Sequence, residues 1–165
     1  MRVKVDVVHE ERYWYPDDGS IVWLSGYGLV DEDGRYLARD APQLADRGLV
    51  VAPVAGAARH HPDALNGDDA APGSVLNLRR DPANEHDSNA IAVHTSGGAQ
   101  LGWVPREVAP LIAAELDAGT HWSALALRES RPSPRDPRSG LTMLLAGAPQ
   151  IELVERARAA RPRSR

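Results

Sequence analysis

GSVLNLRRDPANEHDSNAIAVHTSGGAQLGWVP, residues 73–105, decides how the chain is read. GSVLNLRRD (73–81) is strand-like, and AIAVHTS (90–96) is a second strand. Gly97-Gly98 is a turn, and QLGWVP (100–105) is a third strand. Between the first two lies NEHDSNA (84–90), a tight polar corner. A corner needs only one or two turn-formers. This one carries Asn84, His86, Asp87 and Asn89, four side chains of different donor and acceptor chemistry. That surplus marks the corner as the place to look for function.

Outward toward the C-terminus, Pro105 ends the third strand and opens an amphipathic stretch to Gly119, a good C-cap. Val108, Leu111, Ile112 and Leu116 recur on one helical face. Pro110 is tolerated only in the first turn, so the helix is expected to start at 107–109. THWSALALRES (120–130) alternates as a strand, RPSPRDPRSG (131–140) is a Pro-rich exposed loop, and LTMLLAG (141–147) is a core strand that IELV (151–154) extends. Outward toward the N-terminus, GLVVAPVAGA (48–57) is a continuous apolar run that reads as a buried strand, and Pro62 starts a short helix through Leu65.

RVKVDVV (2–8) alternates strictly, with Val3, Val5 and Val7 on one face. RYWYP, the turn at Asp17-Asp18-Gly19 and SIVWLSGYGLV (20–30) read as strand, turn, strand, and RYLAR (35–39) as a short third strand. Tyr13, Trp14, Tyr15, Trp23, Tyr27 and Tyr36 are expected on the buried face of this small sheet. PQLADRG (42–48) is expected to form a helical turn. The chain is thus predicted to be mainly β with one or two short helices. It divides into an N-terminal β meander over 1–47, a small closed or half-closed β-barrel over 48–154, and a basic, disordered tail over 155–165.

Composition narrows the function classes. At 165 residues the chain is long enough for one domain with a real core and an extension. It has no Cys, which excludes disulfides, thiolate metal sites and cysteine catalysis. No apolar run approaches membrane-spanning length, and MRVKVDVVHEERYW lacks the apolar core of a signal peptide, so a cytoplasmic protein is expected. The net charge of −4 argues against binding duplex DNA through phosphates alone, yet leaves room for a few converging groups that hold an end. The arginines of the tail, Arg156, Arg158, Arg161, Arg163 and Arg165, would add attraction that salt removes.

VAGA (54–57), VLNLRRDPANEHDSNAIAV (75–93), LGWVPREVA (101–109) and Thr142-Met143 resemble a HIRAN domain. This family occurs at the N-terminus of eukaryotic helicase-like factors and as stand-alone bacterial proteins. The resemblance spans residues 48–150. It implies a modified OB-like β-barrel that captures the free 3′-hydroxyl end of single-stranded DNA, in DNA repair or foreign-DNA processing. It further implies a DNA-binding site at Arg59, His60, Asn84, His86, Asp87, Trp103 and Arg106. Asn84 and Asp87 match the family directly. His86 takes the place of the aromatic residue that stacks on the terminal base, and His60 is the second stacking plane. Arg59 and Arg106 are the phosphate contacts, Trp103 lies near the backbone, and Leu141 lines the pocket. The departures from the family pattern all shrink stacking area, which is worth about 1–3 kcal/mol per base.

The chemistry of the corner fits that use. A terminal 3′-hydroxyl donates and accepts, an ionised Asp accepts only, and an Asn amide does both. An internal nucleotide has no 3′ proton, and its next phosphate would meet the Asp87 carboxylate. Attraction to an end with repulsion of an interior gives end specificity. Against this stands capping: Asn84 and Asp87 are also the residues that form Asx-turns, and Asn89 reads as structural. Trp103 and Trp122 read as core, and of Arg79 and Arg80 one should face solvent while the other lines the groove. His86, Asp87 and His94 match no known zinc or nuclease spacing, so no metal and no cofactor are expected. Two other functions remain open: a protein-interaction adaptor that uses the aromatics of residues 1–47, and a metal-dependent nuclease. The nuclease lacks a carboxylate cluster or a nucleophile–base pair in the sequence.

Overall fold

The computed structural model describes residues 2–157. In chain order the elements are β1 (Arg2–Trp14), β2 (Val22–Leu29), α1 (Pro42–Asp46), β3 (Leu49–Pro53), α2 (Ala57–His60) and α3 (Pro62–Leu65). After a 3-10 turn at Asp68–Ala70 come β4 (Val75–Arg80), β5 (Ile91–Thr95), β6 (Gln100–Trp103), α4 (Ala109–Asp117), β7 (Ser123–Arg131), β8 (Gly140–Ala146) and β9 (Gln150–Glu155). The arginine tail from 158 onward lies outside the described residues.

The strands form one mixed sheet in the order β6-β5-β4-β7-β2-β1-β9, with β3 and β8 joined to it through β7. All pairs are antiparallel except β1 with β9. Strand β7 is the branch point. One of its edges pairs with β8 along nearly its whole length. The other pairs with β4 at Ala124 and Leu125, then with β2 from Arg128 to Arg131. A bulge between Ala126 and Arg128 sits where the partner changes, as expected where a strand must bend to follow two neighbours. Gly26 makes the crossing possible. A Cβ there would lie 2.5 Å from both the Arg128 Cα and the Leu127 oxygen.

The alternation of β7 and β8 produces two cores that share one wall. Ala124, Ala126, Met143 and Leu145 face a cluster with Leu76, Ile91, Val93, Leu101 and Ile112. Leu125, Leu127, Leu144 and Ala146 face the other way, against Val5, Val7, Leu29, Leu44 and Leu49. A strand buried on both faces loses the polar alternation of a half-exposed one, which explains the unbroken burial of Ala124–Leu127. The N-terminal hairpin packs against the back of the same wall that carries the corner's sheet.

Several expectations are corrected. The sheet is not closed into a barrel. One end of the sheet, β6, meets the chain that follows the end of the β8–β3 branch at a single bridge between Ala55 and Trp103. Residues 35–39 form no third strand, only an isolated bridge from Tyr36 to Val30. Of the six aromatics expected on a buried face, four are exposed: Tyr13, Trp14, Tyr15 and Tyr36. Trp23 and Tyr27 are half-buried, and Tyr27 packs against the second core beside Val5, Val7 and Leu29. In α4, which starts at 109 as expected, Ile112 is buried and Val108 and Leu116 pack against the core. Leu111 is 66% exposed, and Ala109 and Ala113 complete the buried face in its place.

The Pro-rich loop 131–140 is fixed by one buried carboxylate. Glu129 pairs with Arg131 at 2.9 Å and with Arg138. Arg138 then donates to the carbonyls of Leu65 and Gly67, at 2.9 and 2.7 Å. Burial pushes the Glu129 carboxyl up, but the Arg131 and Arg138 hydrogen bonds outweigh it and hold the group below its ordinary value.

Candidate nucleic-acid interface

The corner is built by its own side chains. The Asn84 Oδ1 accepts the backbone N–H groups of His86 and Asp87, at 2.9 and 3.1 Å. Its Nδ2 donates to the Asp81 Oδ2 at 3.2 Å. The Asp87 Oδ1 accepts the Asn89 N–H at 2.9 Å. These are consecutive Asx-turns, the local reason why Asn and Asp stand at this spacing. Capping and ligand roles therefore share residues. Asn84 keeps one amide hydrogen uncommitted, and the second Asp87 oxygen makes no hydrogen bond among the described residues. Asn89 serves the turn through its backbone N–H.

Arg80 anchors the corner from behind. Its guanidinium donates to the carbonyls of Ala90 and Ser88, at 2.8 and 3.0 Å. It also meets the Asp117 carboxylate at the end of α4 through two bonds, at 3.0 and 3.2 Å. The Asp117 hydrogen bond holds the Arg80 guanidinium above its ordinary value, and Arg80 in turn lowers the Asp117 carboxyl. Of the two adjacent arginines, Arg79 is exposed and Arg80 is spent on structure, so neither lines the cleft. No sequence signal distinguished Arg80 as an anchor, since its acceptors are two backbone carbonyls and a carboxylate 37 residues away.

In front of the corner lies an open cleft of about 330 Å³. Asn84, His86 and Asp87 form one wall, Trp103 and Arg106 a second, and Gly56 with His60 of α2 a third. Ala55, Ala90 and Val104 complete it. Six of the residues expected at the site thus come together from three separated stretches. Arg59 does not: it is exposed on α2, off the cleft. Leu141 is buried in the core. Trp103, read as core, is half-buried and lines the cleft. Arg106 is exposed and reaches the His86 carbonyl at 3.5 Å, a loose contact that leaves its charge available.

The walls are joined at the seam of the sheet. Ala55 and Trp103 exchange two backbone hydrogen bonds, at 2.8 and 3.0 Å. They approach this closely because residue 102 is Gly: a Cβ there would stand 2.3 Å from the Ala55 oxygen. His94, on β5, lies outside the cleft. Burial foremost, then the charges of Arg79 and His61, lowers its pKa and favours the neutral ring. Among the described residues no group of three or more His, Cys, Asp or Glu is placed to hold a metal ion. No helix of the described residues is long and apolar enough to cross a membrane.

Comparison with known proteins returns one family, whose model, HIRAN domain, matches residues 47–138. That is more than half of the chain. Among solved structures, the chain is similar to the crystal structure of the HIRAN domain of human HLTF, with 22% identity over 60% of this chain and 76% of that one, at a TM-score of 0.44. It is also similar to the crystal structure of a protein from Lactobacillus plantarum, with 19% identity over 60% of this chain and 99% of that one, at a TM-score of 0.42. No curated protein matches.

Proposed function

The chain belongs to the HIRAN domain family, and from that premise we propose that it is a non-catalytic module that captures the 3′-hydroxyl end of single-stranded DNA. The observation that carries the reading is the convergence of His60, Asn84, His86, Asp87, Trp103 and Arg106 on one cleft. At about 330 Å³, the cleft lies at the small end of ligand pockets, which run from about 300 to 1,000 Å³. It suits one terminal nucleotide rather than a threaded strand. The uncommitted Asp87 oxygen accepts the 3′-hydroxyl proton, and the remaining Asn84 amide hydrogen donates to a sugar oxygen. His86 and His60 flank the base, Trp103 packs on the sugar and backbone, and Arg106 meets a phosphate. Arg59 lies off the cleft and serves only as a distant phosphate contact. With a chain charge of −4, little general attraction supplements these contacts, so binding is weak and, with so few phosphates neutralised, falls only modestly with salt.

Fluorescence anisotropy with three single strands tests the reading: one ending in a 3′-hydroxyl, one in a 3′-phosphate, and one circular. A hydrogen bond to a charged acceptor is worth about 1.5–3 kcal/mol. The 3′-hydroxyl strand should therefore bind at least roughly 10-fold more tightly than either of the others. Asp87→Asn keeps the cap to Asn89 and removes the charge, so it should erase the discrimination without unfolding the corner. Equal affinity for all three strands, or unchanged discrimination in Asp87→Asn, would sink end recognition.

A further inference from the structure

Strand β1 is paired on both sides only over its first half. Residues 2–7 run beside β9, and the last rung of that ladder is the bond from the Arg156 N–H to the Val7 carbonyl. From residue 8 to Trp14 the strand has β2 on one side and nothing described on the other. Backbone groups of successive residues point to opposite edges. The Asp6 carbonyl serves the β2 side, through the Val30 N–H, and the Val7 carbonyl serves the β9 side. The N–H and C=O groups of His9, Glu11 and Tyr13 therefore point outward from an open edge. Such edges are normally blunted by Pro, Lys or a bulge. Here the register with β2 runs unbroken from Val7 to Trp14, and no Pro or Lys interrupts it.

The side chains beside this edge form a repeating shelf. His9 stands edge-on to Tyr27 at 5.7 Å, and Tyr13 edge-on to Trp23 at 4.9 Å. Between the two ring pairs lies the exposed Glu11 carboxylate, held loosely by the Ser25 hydroxyl at 3.5 Å. Asp17 and Asp18 follow at the hairpin turn, and Arg12 leans toward Glu10 at 3.7 Å. A strand added here would place one side chain between two ring pairs and against a carboxylate. Cations are favoured at both kinds of neighbour. A second copy of the chain fits worse, because an antiparallel pair centred on this shelf sets two Glu11 carboxylates opposite each other.

We propose that the open edge of β1 at His9, Glu11 and Tyr13 receives an extended segment of a partner protein, with a basic residue facing Glu11 and apolar residues facing the two ring pairs. Backbone hydrogen bonds supply affinity in such strand addition, and the alternating side chains supply specificity. This surface shares no residue with the cleft, so it stands or falls independently of DNA binding.

The probe is the capped peptide Thr-Leu-Thr-Arg-Thr-Leu-Thr, titrated into the 165-residue chain and followed by amide NMR and hydrogen exchange. Its counterpart has Glu in place of Arg. The expected result is added protection at the amides of His9, Glu11 and Tyr13, with roughly 10-fold weaker binding in Glu11→Lys and with the Glu peptide, since like charges are then opposed. Glu11→Pro removes an outward N–H without touching the β2 ladder and should also lose the peptide, while Asp87→Asn should bind it normally. Equal binding of both peptides, or protection elsewhere, overturns the proposal. So does a dimer that Glu11→Pro dissolves. So does protection of these amides in the peptide-free chain that disappears on deleting residues 158–165.

Discussion

Gly102→Ala should open the cleft by breaking the seam of the sheet. The added Cβ would stand 2.3 Å from the Ala55 carbonyl oxygen and 2.9 Å from the Val54 Cγ1. Ordinary contact lies near 3.5 Å, so the Ala55 backbone must retreat by about 1 Å. That retreat stretches both bonds of the Ala55–Trp103 bridge past hydrogen-bonding distance. Two bonds at about 1 kcal/mol each and an overpacking cost of about 1–3 kcal/mol give a loss of about 3–5 kcal/mol. For a chain of this size the melting temperature should fall by roughly 6–20 °C. Strand propensity alone predicts the opposite sign, since Ala is favoured over Gly. Gly97→Ala is the control: its Cβ would meet the Asp69 Oδ2 at 2.7 Å, the movable end of a side chain, and should change stability by under about 1 kcal/mol. Thermal melts and amide exchange at Ala55 and Trp103 read the effect. Equal costs for the two variants, or undiminished protection at Ala55 and Trp103, would refute the idea that the bridge holds the cleft walls together.

Arg80→Met should cost about 1.5–3 kcal/mol by urea denaturation, because it strips the corner of its bonds to the Ser88 and Ala90 carbonyls. Asp117→Ala removes only a partner that is 57% exposed and should cost under about 1 kcal/mol; equal costs would mean the carbonyl anchor contributes nothing. His86→Tyr enlarges the stacking plane and should tighten 3′-end binding several-fold, within the range of about 1–3 kcal/mol that a stacked base is worth; anisotropy titration checks it. Glu129 supplies a pH dependence. Its folded value lies below the ordinary 4.5, so its contribution is fully present above pH 4.5 and is lost as pH falls through the folded value. Acid titration of stability should show that loss, and Glu129→Gln should flatten it while lowering stability at neutral pH.

Period-two alternation and turn chemistry placed nearly every strand, the short helix at Pro62 and the polar corner, because those signals are local: a strand's burial pattern and an Asx-turn depend on residues within a few positions. The order of motifs from VAGA through NEHDSNA to LGWVPRE carried the family. Alternation says which residues share a face but not what covers it. It could not show that β7 and β8 are buried on both faces, or that Tyr13, Trp14, Tyr15 and Tyr36 stand outside while Val5, Val7 and Leu29 fill the second core. The third strand at 35–39 failed for the same reason, having only the Val30 bridge as a neighbour. The corner was legible as a turn and as a candidate site, but Arg80, Ala55 and Gly102 were not. Ala55 and Gly102 meet from distant parts of the chain, and Arg80 bonds to carbonyls of the corner and to the distant Asp117, contacts that no periodicity within a strand encodes. That one cleft joins His60, Asp87 and Arg106, and leaves Arg59 and Leu141 out of it, was decided by the seam that brings β6 to the end of β3.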